Sequence, residues 1–517
     1  MEPSVALVLR KLKALTPYKA DAWAQALQAA GVSTRFARVP EGLRSGFLLD
    51  FPLISHVQSP ANKESIVTYA GEFNIIIKKE LSKQRYIGPF FLSELIPLIG
   101  PFQTSPLDII PKSGKPGKFR LIQNFSYPHS PSPSCPHPSI NSYINTDDFP
   151  TTWGKFSIIY LLISRLPPGS EAATRDVAEA YRTIPLHPTQ WPAAVVKISD
   201  TQVCVDTCAA FGAAPSAGVY GHVADAGAEI TRHRGMGPLD KWVDDHIYFR
   251  IRKEFLGDYN LQRATWHQNL AKSGMHQTGS RLWFGGHIFD DGSIEEFDED
   301  CAWPLKDLSN HTPRSMHDSQ FSYCLSDLDN LAEELGMVLE LTKDQPFQPF
   351  TTYIGFLWHI AERRVSLSPP KVNKYLTTIH EWRKHSTHVL EDVQKLHGKL
   401  THACSAIPRG RAYLTSLEKM LAICGKQPFL PHRPSKGIAE DLTWWSEILQ
   451  TGNACRPIYP PTKFADPQAF SDASSGIGIA IVIGKFWRAW RLIPGWQTSH
   501  GKQDIGWAEA IGFELLV

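Results

Sequence analysis

The sequence predicts an α+β fold with several regions, and three observations lead to it. Strand-like and helix-like patterns alternate over residues 160–249, which is typical of a mixed core. Two extended segments flank a Gly/Lys turn within residues 107–122, as in a β-hairpin. Beyond Pro369 the pattern becomes helical and basic, with ten Lys or Arg against three Asp or Glu over residues 363–411. A sheet-containing centre is therefore followed by a helical region.

Composition limits the class of protein. The 517 residues, 42% hydrophobic and 11% aromatic, provide enough apolar material for several cores. A net charge of +2 gives no global basic field that would by itself indicate a nucleic-acid partner. The eight cysteines include no Cys-x-x-Cys pair, and no secretory signal or apolar run of membrane-spanning length occurs. We therefore expect no zinc ribbon, no membrane anchor, and an intracellular location in the cytoplasm or nucleus.

Changes of composition divide the chain into six predicted regions. Pro-rich stretches at 126–139 and 456–461 interrupt regular structure, and an acidic, Trp-containing stretch without a clear pattern is interpreted as an insertion. The regions are an N-terminal helical region (1–100), a mixed region (101–250), the insertion (251–320), a return to the mixed pattern (321–368), basic helices (369–455) and a C-terminal α/β segment (463–517).

Three acidic residues are the first candidates for chemistry. Asp244 and Asp245 lie between two short apolar runs, as at the tip of a tight β-hairpin. Adjacent carboxylates repel, so burying them together is costly unless a cation lies between them. Asp176 ends a predicted strand upstream and would complete an oxygen site for Mg²⁺. The alternative is a solvated surface turn, in which Asp-Asp pairs are common.

Five short motifs follow one another around these acids. They are Asp176 with an aromatic Tyr181 five positions later, AFGAAP at 210–215, WVDD at 242–245, LGMVLELTK at 335–343 and YIGF at 353–356. In this order they resemble the motifs of retroelement reverse transcriptases, and the resemblance extends over roughly residues 30–517. Trp242 stands where that family usually has Tyr, which puts primer positioning or fidelity, rather than the metal site, in doubt.

The resemblance implies a right-hand polymerase. Residues 101–250 would form fingers and palm, residues 321–368 the end of the palm, and residues 369–455 the thumb and connection helices. The implied function is that of a retrotransposon RNA-directed DNA polymerase, which joins deoxynucleoside triphosphates on a primed RNA or DNA template. Mg²⁺ or Mn²⁺ would be held by Asp176, Asp244 and Asp245, and Lys343 would protonate the leaving pyrophosphate.

Further residues are implied to contact the incoming nucleotide. Lys112 and Arg120 on the hairpin would bind its phosphates, and Tyr181 would exclude a 2′-hydroxyl by steric clash. Gly212 and Pro215 would let the backbone approach the template and nucleotide closely, and Phe211 beside them would also contact the nucleotide. Structural alternatives remain open for each of them: a solvated turn, a core tyrosine and an ordinary turn.

The last segment resembles the start of a ribonuclease H domain. Asp472 lies in a predicted first strand, and Glu509, 37 residues later, lies in a predicted helix. The sequence ends at Val517, before the further acids that such a site needs. We therefore expect a truncated, vestigial domain with little or no ribonuclease H activity.

Two alternatives compete with this interpretation. A catalytically inactive, retroelement-derived protein would bind nucleic acid without synthesis, and the basic helices would then be either its binding surface or simply solvated faces. An RNA-templated RNA polymerase is disfavoured by Tyr181, because a ribonucleotide enzyme needs room for the 2′-hydroxyl. Within the retroelements, SIN at 139–141, LHGKL at 396–400 and PRGR at 408–411 most resemble the tyrosine-recombinase (DIRS-like) group.

Overall fold

Helices and strands are mixed along the whole chain, which confirms the predicted combination. The computed structural model describes residues 15–112, 116–288, 294–310, 313–452, 454–460, 467–497 and 503–516. The chain forms two compact units, Met1–Tyr459 and Pro460–Val517. Among the described residues, no helix is both long and apolar enough to cross a membrane.

The elements of the described residues are numbered in chain order. The α-helices are α1 (Ala20–Ala29), α2 (Arg38–Ser45), α3 (Ser65–Thr68), α4 (Ala70–Ser82), α5 (Leu92–Ile99), α6 (Phe156–Arg165), α7 (Ser216–His233), α8 (Lys253–Leu270), α9 (Leu325–Leu335), α10 (Pro369–Arg383), α11 (Leu390–Cys404), α12 (Thr415–Lys426), α13 (Lys436–Gln450) and α14 (Ile505–Leu516). The strands are β1 (Tyr86–Phe91), β2 (Leu107–Pro111), β3 (Phe119–Gln123), β4 (Glu171–Asp176), β5 (Val195–Lys197), β6 (Gln202–Asp206), β7 (Leu239–Trp242), β8 (Asp245–Arg250), β9 (Met275–Thr278), β10 (Arg281–Ile288), β11 (Ile294–Asp298), β12 (Gln345–Gln348), β13 (Phe350–Tyr353), β14 (Phe356–His359), β15 (Arg364–Leu367), β16 (Cys455–Pro457), β17 (Ala469–Ser474), β18 (Gly478–Ile483) and β19 (Phe486–Arg491).

The centre of the first unit is an antiparallel sheet with the order β12-β4-β8-β7. Successive strand residues point to opposite faces, and both faces are covered here. Tyr248 of β8 joins one hydrophobic core, whereas Ile247 and Phe249 join another. Because β4 is buried along its whole length, its terminal Asp176 is held at a fixed position.

The first core joins the central sheet to the N-terminal helices. Helix α7 is rich in Gly and Ala and is buried on nearly every side, so neighbouring elements approach its backbone closely. A Cβ placed at Gly227 of α7 would lie 3.4 Å from the Trp23 ring of α1. The Trp23 indole N–H donates to the Leu335 carbonyl at 2.9 Å. Helix α1 thereby fixes the end of α9, from which the chain continues to Lys343.

The second core lies on the other face of the central sheet. It contains α6, the sheet β13-β14-β15-β16 and the four helices α10 to α13. Trp358 of β14 and Trp445 of α13 are fully buried within it. The helical pattern predicted beyond Pro369 is confirmed by α10 to α13. The hairpin predicted within 107–122 is also present, as β2 paired with β3.

The stretch 251–320 contains regular structure that its sequence pattern did not predict. It forms α8 and a three-stranded antiparallel sheet, β11-β10-β9. Its acidic side chains are ion-paired with basic residues of α6, α7 and neighbouring segments: Glu295 with Arg165, Glu296 with Lys155 and Arg281, Asp298 with Arg232 and Arg281, and Glu299 with Arg35. The acidic side chains therefore help to hold this segment against the rest of the first unit.

The second unit is small. Strands β17, β18 and β19 form an antiparallel meander, and α14 packs against β17 and β18. Gly512 permits this approach, because a Cβ there would lie 3.1 Å from Ile479 and 3.4 Å from Ser471.

Candidate active site

The three predicted acids meet at one end of the central sheet. Asp176 ends β4 and is paired in register with Asp245, the first residue of β8. Asp244 lies in the turn between β7 and β8, and Trp242, the last residue of β7, is paired in register with Asp245. One carboxylate oxygen from each acid lies within 4.8 Å of those of the other two. Three carboxylates separated by up to 69 residues in sequence are thus brought together by strand register.

The turn that carries Asp244 has an unusual backbone. Val243 has a φ of 55°, a left-handed conformation that is rare for a β-branched residue and costs roughly 1–2 kcal/mol. Backbone contacts hold the strained turn: the Val177 N–H donates to the Asp244 carbonyl at 3.0 Å, and the Tyr353 hydroxyl donates to the Asp245 carbonyl at 3.2 Å. The position of both carboxylates is therefore fixed by neighbouring strands.

The acids repel one another, and this changes their protonation. Burial, a hydrogen bond with Asp176 and the charge of Asp244 together raise the pKa of Asp245 to about 7. Burial and the charge of Asp176 also raise the pKa of Asp244. Three carboxylates at this spacing provide the hard oxygen donors that Mg²⁺ and Mn²⁺ prefer, and a divalent cation would relieve their repulsion. The donor set therefore fits a divalent metal.

Lys343 is the cation that contacts this group. Its Nζ lies 2.7 Å from an Asp176 carboxylate oxygen. Burial lowers the pKa of Lys343, but the bond to Asp176 and the charges of Asp245 and Asp244 outweigh burial and raise it. The Lys343 side chain is 47% exposed and its charged end can reach solvent, whereas its partner Asp176 is buried.

Three predicted nucleotide-binding residues form a row beside the acids. The half-buried Tyr181 ring lies 4.9 Å from the Phe211 ring. The Arg120 guanidinium lies 5.4 Å from the centre of the same Phe211 ring. Burial and the nearby charge of Asp244 raise the pKa of Tyr181. Arg120 in turn counteracts the raised pKa of Asp244. A cation, two aromatic rings and a carboxylate thus line one side of the site.

Gly212 lies against the end of β3, where no side chain would fit. Its φ is +115°, and a Cβ there would lie 1.9 Å from the Gln123 carbonyl oxygen. Asn141 holds this turn on both sides, because its side-chain amide donates to the Gly212 carbonyl at 2.9 Å and accepts from the Ala214 N–H at 3.0 Å. This role of Asn141 was not predicted, since a lone Asn does not indicate a distant partner. Lys112 is exposed at the base of the β2–β3 turn.

Trp153 was missed by the sequence analysis. Its ring lies 5.1 Å from the Trp242 ring in an edge-on arrangement. Trp153 is 41% exposed and Trp242 is 37% exposed, so the pair forms an accessible aromatic surface directly before the Asp244 turn. A Trp in a Pro- and Thr-rich stretch carries no signal for a partner 89 residues later.

A group of lysines lies near the turn between β13 and β14. Lys371 and Lys374 of α10 and Lys395 and Lys399 of α11 are on adjacent helices. Burial, then the charges of the neighbouring lysines, lower the pKa of Lys371 and of Lys399. A Cβ at Gly355 in the turn would lie 2.7 Å from Lys371 Cε. Positive charge is thereby concentrated beside the turn that follows Tyr353, whose hydroxyl contacts the Asp245 carbonyl.

The two acids predicted for a vestigial ribonuclease H site lie in the second unit. Asp472 is in β17 and Glu509 is in α14, and both are exposed. Ser471, the neighbour of Asp472, lies against Gly512 of α14. The role of the two acids stays a prediction.

Comparison with known proteins gives structural likenesses only. The sequence matches no protein-family model and no curated protein. The fold is similar to the foamy viral protease-reverse transcriptase solved with an RNA/DNA hybrid, with a TM-score of 0.49 and 10% identity over 90% of this chain and 48% of the other. Two structures of that viral protein with double-stranded DNA are also similar. One has a TM-score of 0.48 and 10% identity over 96% of this chain and 71% of the other. The second has a TM-score of 0.46 and 12% identity over 86% of this chain and 70% of the other. The chain spans about half the length of the first of these proteins. At these values the likeness describes general shape and assigns no role to any residue.

Proposed function

We propose that the chain is an RNA-directed DNA polymerase, a metal-dependent enzyme that extends a primer on a nucleic-acid template. The observation that carries the proposal is the convergence of Asp176, Asp244 and Asp245 within 4.8 Å, beside a row of nucleotide-binding side chains. The reaction joins the 3′-hydroxyl of a primer to the α-phosphate of a deoxynucleoside triphosphate and releases pyrophosphate.

The three carboxylates would hold Mg²⁺ or Mn²⁺. When bound, these ions lower the pKa of the primer hydroxyl and neutralise charge on the phosphates. The protein supplies the fixed positions: strand register places Asp176 and Asp245, and the strained turn places Asp244. Lys343 would move from Asp176 to the departing pyrophosphate, because its exposed chain and raised pKa keep it protonated and mobile.

The neighbouring side chains would orient the nucleotide. Arg120 and Lys112 would bind its phosphates, as cations on a hairpin can do with several oxygens. Tyr181 would lie under the sugar and exclude a 2′-hydroxyl, and its packing on Phe211 keeps the ring from turning away. Asn141 would keep Gly212 close to β3, so that the backbone leaves room for the base.

The regions around the site would then form the parts of a polymerase hand. The central sheet would be the palm, the β2–β3 hairpin part of the fingers, and helices α10 to α13 the thumb and connection. The lysines of α10 and α11 would contact phosphates of the template-primer duplex in a sequence-independent way. A retrotransposon origin, membership of the DIRS-like group and a truncated ribonuclease H domain belong to the same proposal.

Primer extension tests the proposal. Purified chain is given poly(rA)/oligo(dT), dTTP and Mg²⁺ or Mn²⁺, beside the double variant Asp244→Asn, Asp245→Asn. We expect extension by the unmodified chain and a loss of about a thousandfold or more in the variant, equivalent to about 4 kcal/mol of transition-state stabilisation. A matched control is Asp147→Asn, Asp148→Asn, which changes another adjacent pair that is exposed on a surface turn and should leave extension unchanged.

The same assay distinguishes the competing proposal. If a folded, unmodified chain extends nothing with either metal but still shifts the heteroduplex on a gel, the protein is a nucleic-acid-binding protein without polymerase activity. If the two double variants lose extension equally, the Asp244 turn has no special role.

A further inference from the structure

A cavity lies beside the segment that follows Asp176. The cavity, of about 490 Å³ and within the size range of ligand-binding cavities, is bounded by α4, the loop after β4, the chain before Lys343 and residues 15–17. Its charged lining consists of four cations and two carboxylates: Lys79, Lys83, Arg85, Arg182, Glu179 and Glu340. A cavity with excess positive charge attracts anions.

Three of these cations converge on one carboxylate. Lys79, Lys83 and Arg85 all form salt bridges with Glu179, with Arg85 Nη1 at 2.9 Å from the carboxylate. Burial opposes its ionisation, but the three cations outweigh burial and lower the pKa of Glu179 to about 2. Glu179 is therefore ionised at neutral pH, and its carboxylate oxygens are held by three cations of the kind that also bind phosphate oxygens.

Arg182 differs from the other three cations. It is buried and donates to Glu80, to Asp206 and to the carbonyl of Ala209. It is thus committed to the fold. The Lys79 and Lys83 side chains are 51% and 42% exposed, so they can exchange one anion for another at little cost.

The backbone at Glu179 is strained. Its φ of 52° and ψ of 38° are left-handed, which costs roughly 1–2 kcal/mol in a residue with a side chain. Strain of this kind persists only where surrounding contacts impose it. The Arg182 N–H, which donates to the Glu179 carbonyl at 2.7 Å, and the three cations that hold the Glu179 carboxylate provide such contacts.

The cavity also shares a wall with the candidate active site. The Ala178 N–H donates to the Val338 carbonyl at 2.8 Å, and the Glu340 N–H donates to the Asp176 carbonyl at 2.8 Å. The two segments that line the cavity are therefore those that carry Asp176 and Lys343.

We infer that this cavity binds the di- or triphosphate group of a small molecule, with Lys79, Lys83 and Arg85 as its ligands and Glu179 as the internal carboxylate that the phosphate displaces. The group can come from inorganic pyrophosphate or tripolyphosphate, or from a nucleoside triphosphate. Binding needs no metal and does not depend on the proposed polymerase function.

Calorimetric titration of the full chain in EDTA tests the inference. Sodium pyrophosphate, sodium tripolyphosphate and dTTP are titrated separately, so that a preference for dTTP identifies a nucleotide ligand and equal affinity for tripolyphosphate identifies the phosphate group alone. We expect the double variant Lys79→Gln, Lys83→Gln to weaken binding by about tenfold or more, because two charge-assisted hydrogen bonds are lost. Glu179→Gln should strengthen binding by about threefold, because the competing carboxylate is removed.

The control is the double variant Lys253→Gln, Lys272→Gln, which changes two exposed lysines outside both sites and should leave metal-free binding unchanged. Thermal unfolding of each variant confirms that it is folded. The inference is overturned if the unmodified chain binds none of the three anions, or if Lys79→Gln, Lys83→Gln binds them as tightly as the unmodified chain. It is equally overturned if Arg120→Gln alone abolishes binding, since the anion would then lie in the proposed nucleotide pocket.

Discussion

The candidate active site and the interface of the insertion both gather carboxylates in largely buried surroundings, but their charges are balanced differently. In the insertion, Asp298 lies 2.7 Å from Arg232 and 2.6 Å from Arg281. Burial opposes ionisation of Asp298, yet the two arginines outweigh it and lower its pKa. At the active site, three acids share one partly exposed lysine, and the pKa of Asp245 is raised to about 7.

This difference separates acids that hold the fold from acids that are available to a ligand. A carboxylate with its own arginine is ionised at neutral pH and contributes to attachment. A carboxylate that faces other carboxylates destabilises the protein until a cation binds. The contrast leads to predictions in which changes to the two groups have effects of opposite sign.

The largest stability effect is expected in the insertion. Asp298→Asn leaves Arg232 and Arg281 each short of a buried partner, so the free energy of unfolding should fall by about 3 kcal/mol. Since the pKa of Asp298 is lowered, the stability that this carboxylate contributes is present at neutral pH. It is lost only as the pH falls below about 4. Urea unfolding at pH 7 measures the change. An unchanged midpoint would show that the paired acids do not hold the insertion.

A smaller effect of opposite sign is expected at the active site. Without metal, Asp245→Asn should raise the free energy of unfolding by about 1–2 kcal/mol at pH 8, less than the full pKa shift implies because Asp245 is partly exposed to solvent. The raised pKa means that the unmodified chain loses stability as the pH rises from about 4 to about 7, so the gain should disappear at pH 4. Thermal unfolding in EDTA at both pH values provides the measurement. Destabilisation by the variant at pH 8 would contradict the account of the repulsion.

The smallest effect is expected at the shared lysine. Lys343→Gln should lower the stability of the metal-free chain by about 0.5–1 kcal/mol, because the lysine is half exposed to solvent although its partner Asp176 is buried. Mn²⁺ should bind at least as tightly, since an Asp176 oxygen becomes available. The matched variant is Arg281→Gln, whose loss from the insertion should cost several times more. Equal costs for the two variants would remove the distinction between the two groups of acids.

Local pattern and motif order predicted much of the fold and of the acidic site. The hairpins at β2–β3 and β7–β8 are confirmed because turn residues and alternating apolar residues are local signals. The Asp-Asp pair alone did not distinguish the site, since the same dipeptide at 147–148 lies on a surface turn. The order of motifs around Asp176 and Asp245 made the difference, and the structure brings these acids together.

The remaining features depend on contacts between distant parts of the chain. The insertion looked irregular because several of its acids are paired with basic residues distant in sequence, as in the pair of Arg165 with Glu295. Asn141 and Trp153 acquire partners 71 and 89 residues away, respectively, which no local pattern indicates. Glu179 was passed over because its strained backbone and its lysine partners appear only in three dimensions.

Mn²⁺ binding tests the central claim most directly, namely that Asp176, Asp244 and Asp245 form a divalent metal site. Calorimetric titration compares the unmodified chain with Asp245→Asn at pH 6 and pH 8, without nucleotide or nucleic acid. We predict saturable binding by the unmodified chain that tightens about tenfold from pH 6 to pH 8, because the metal displaces a proton whose pKa is about 7, and a loss of that binding in the variant. Equal Mn²⁺ affinity in the two proteins would contradict the claim.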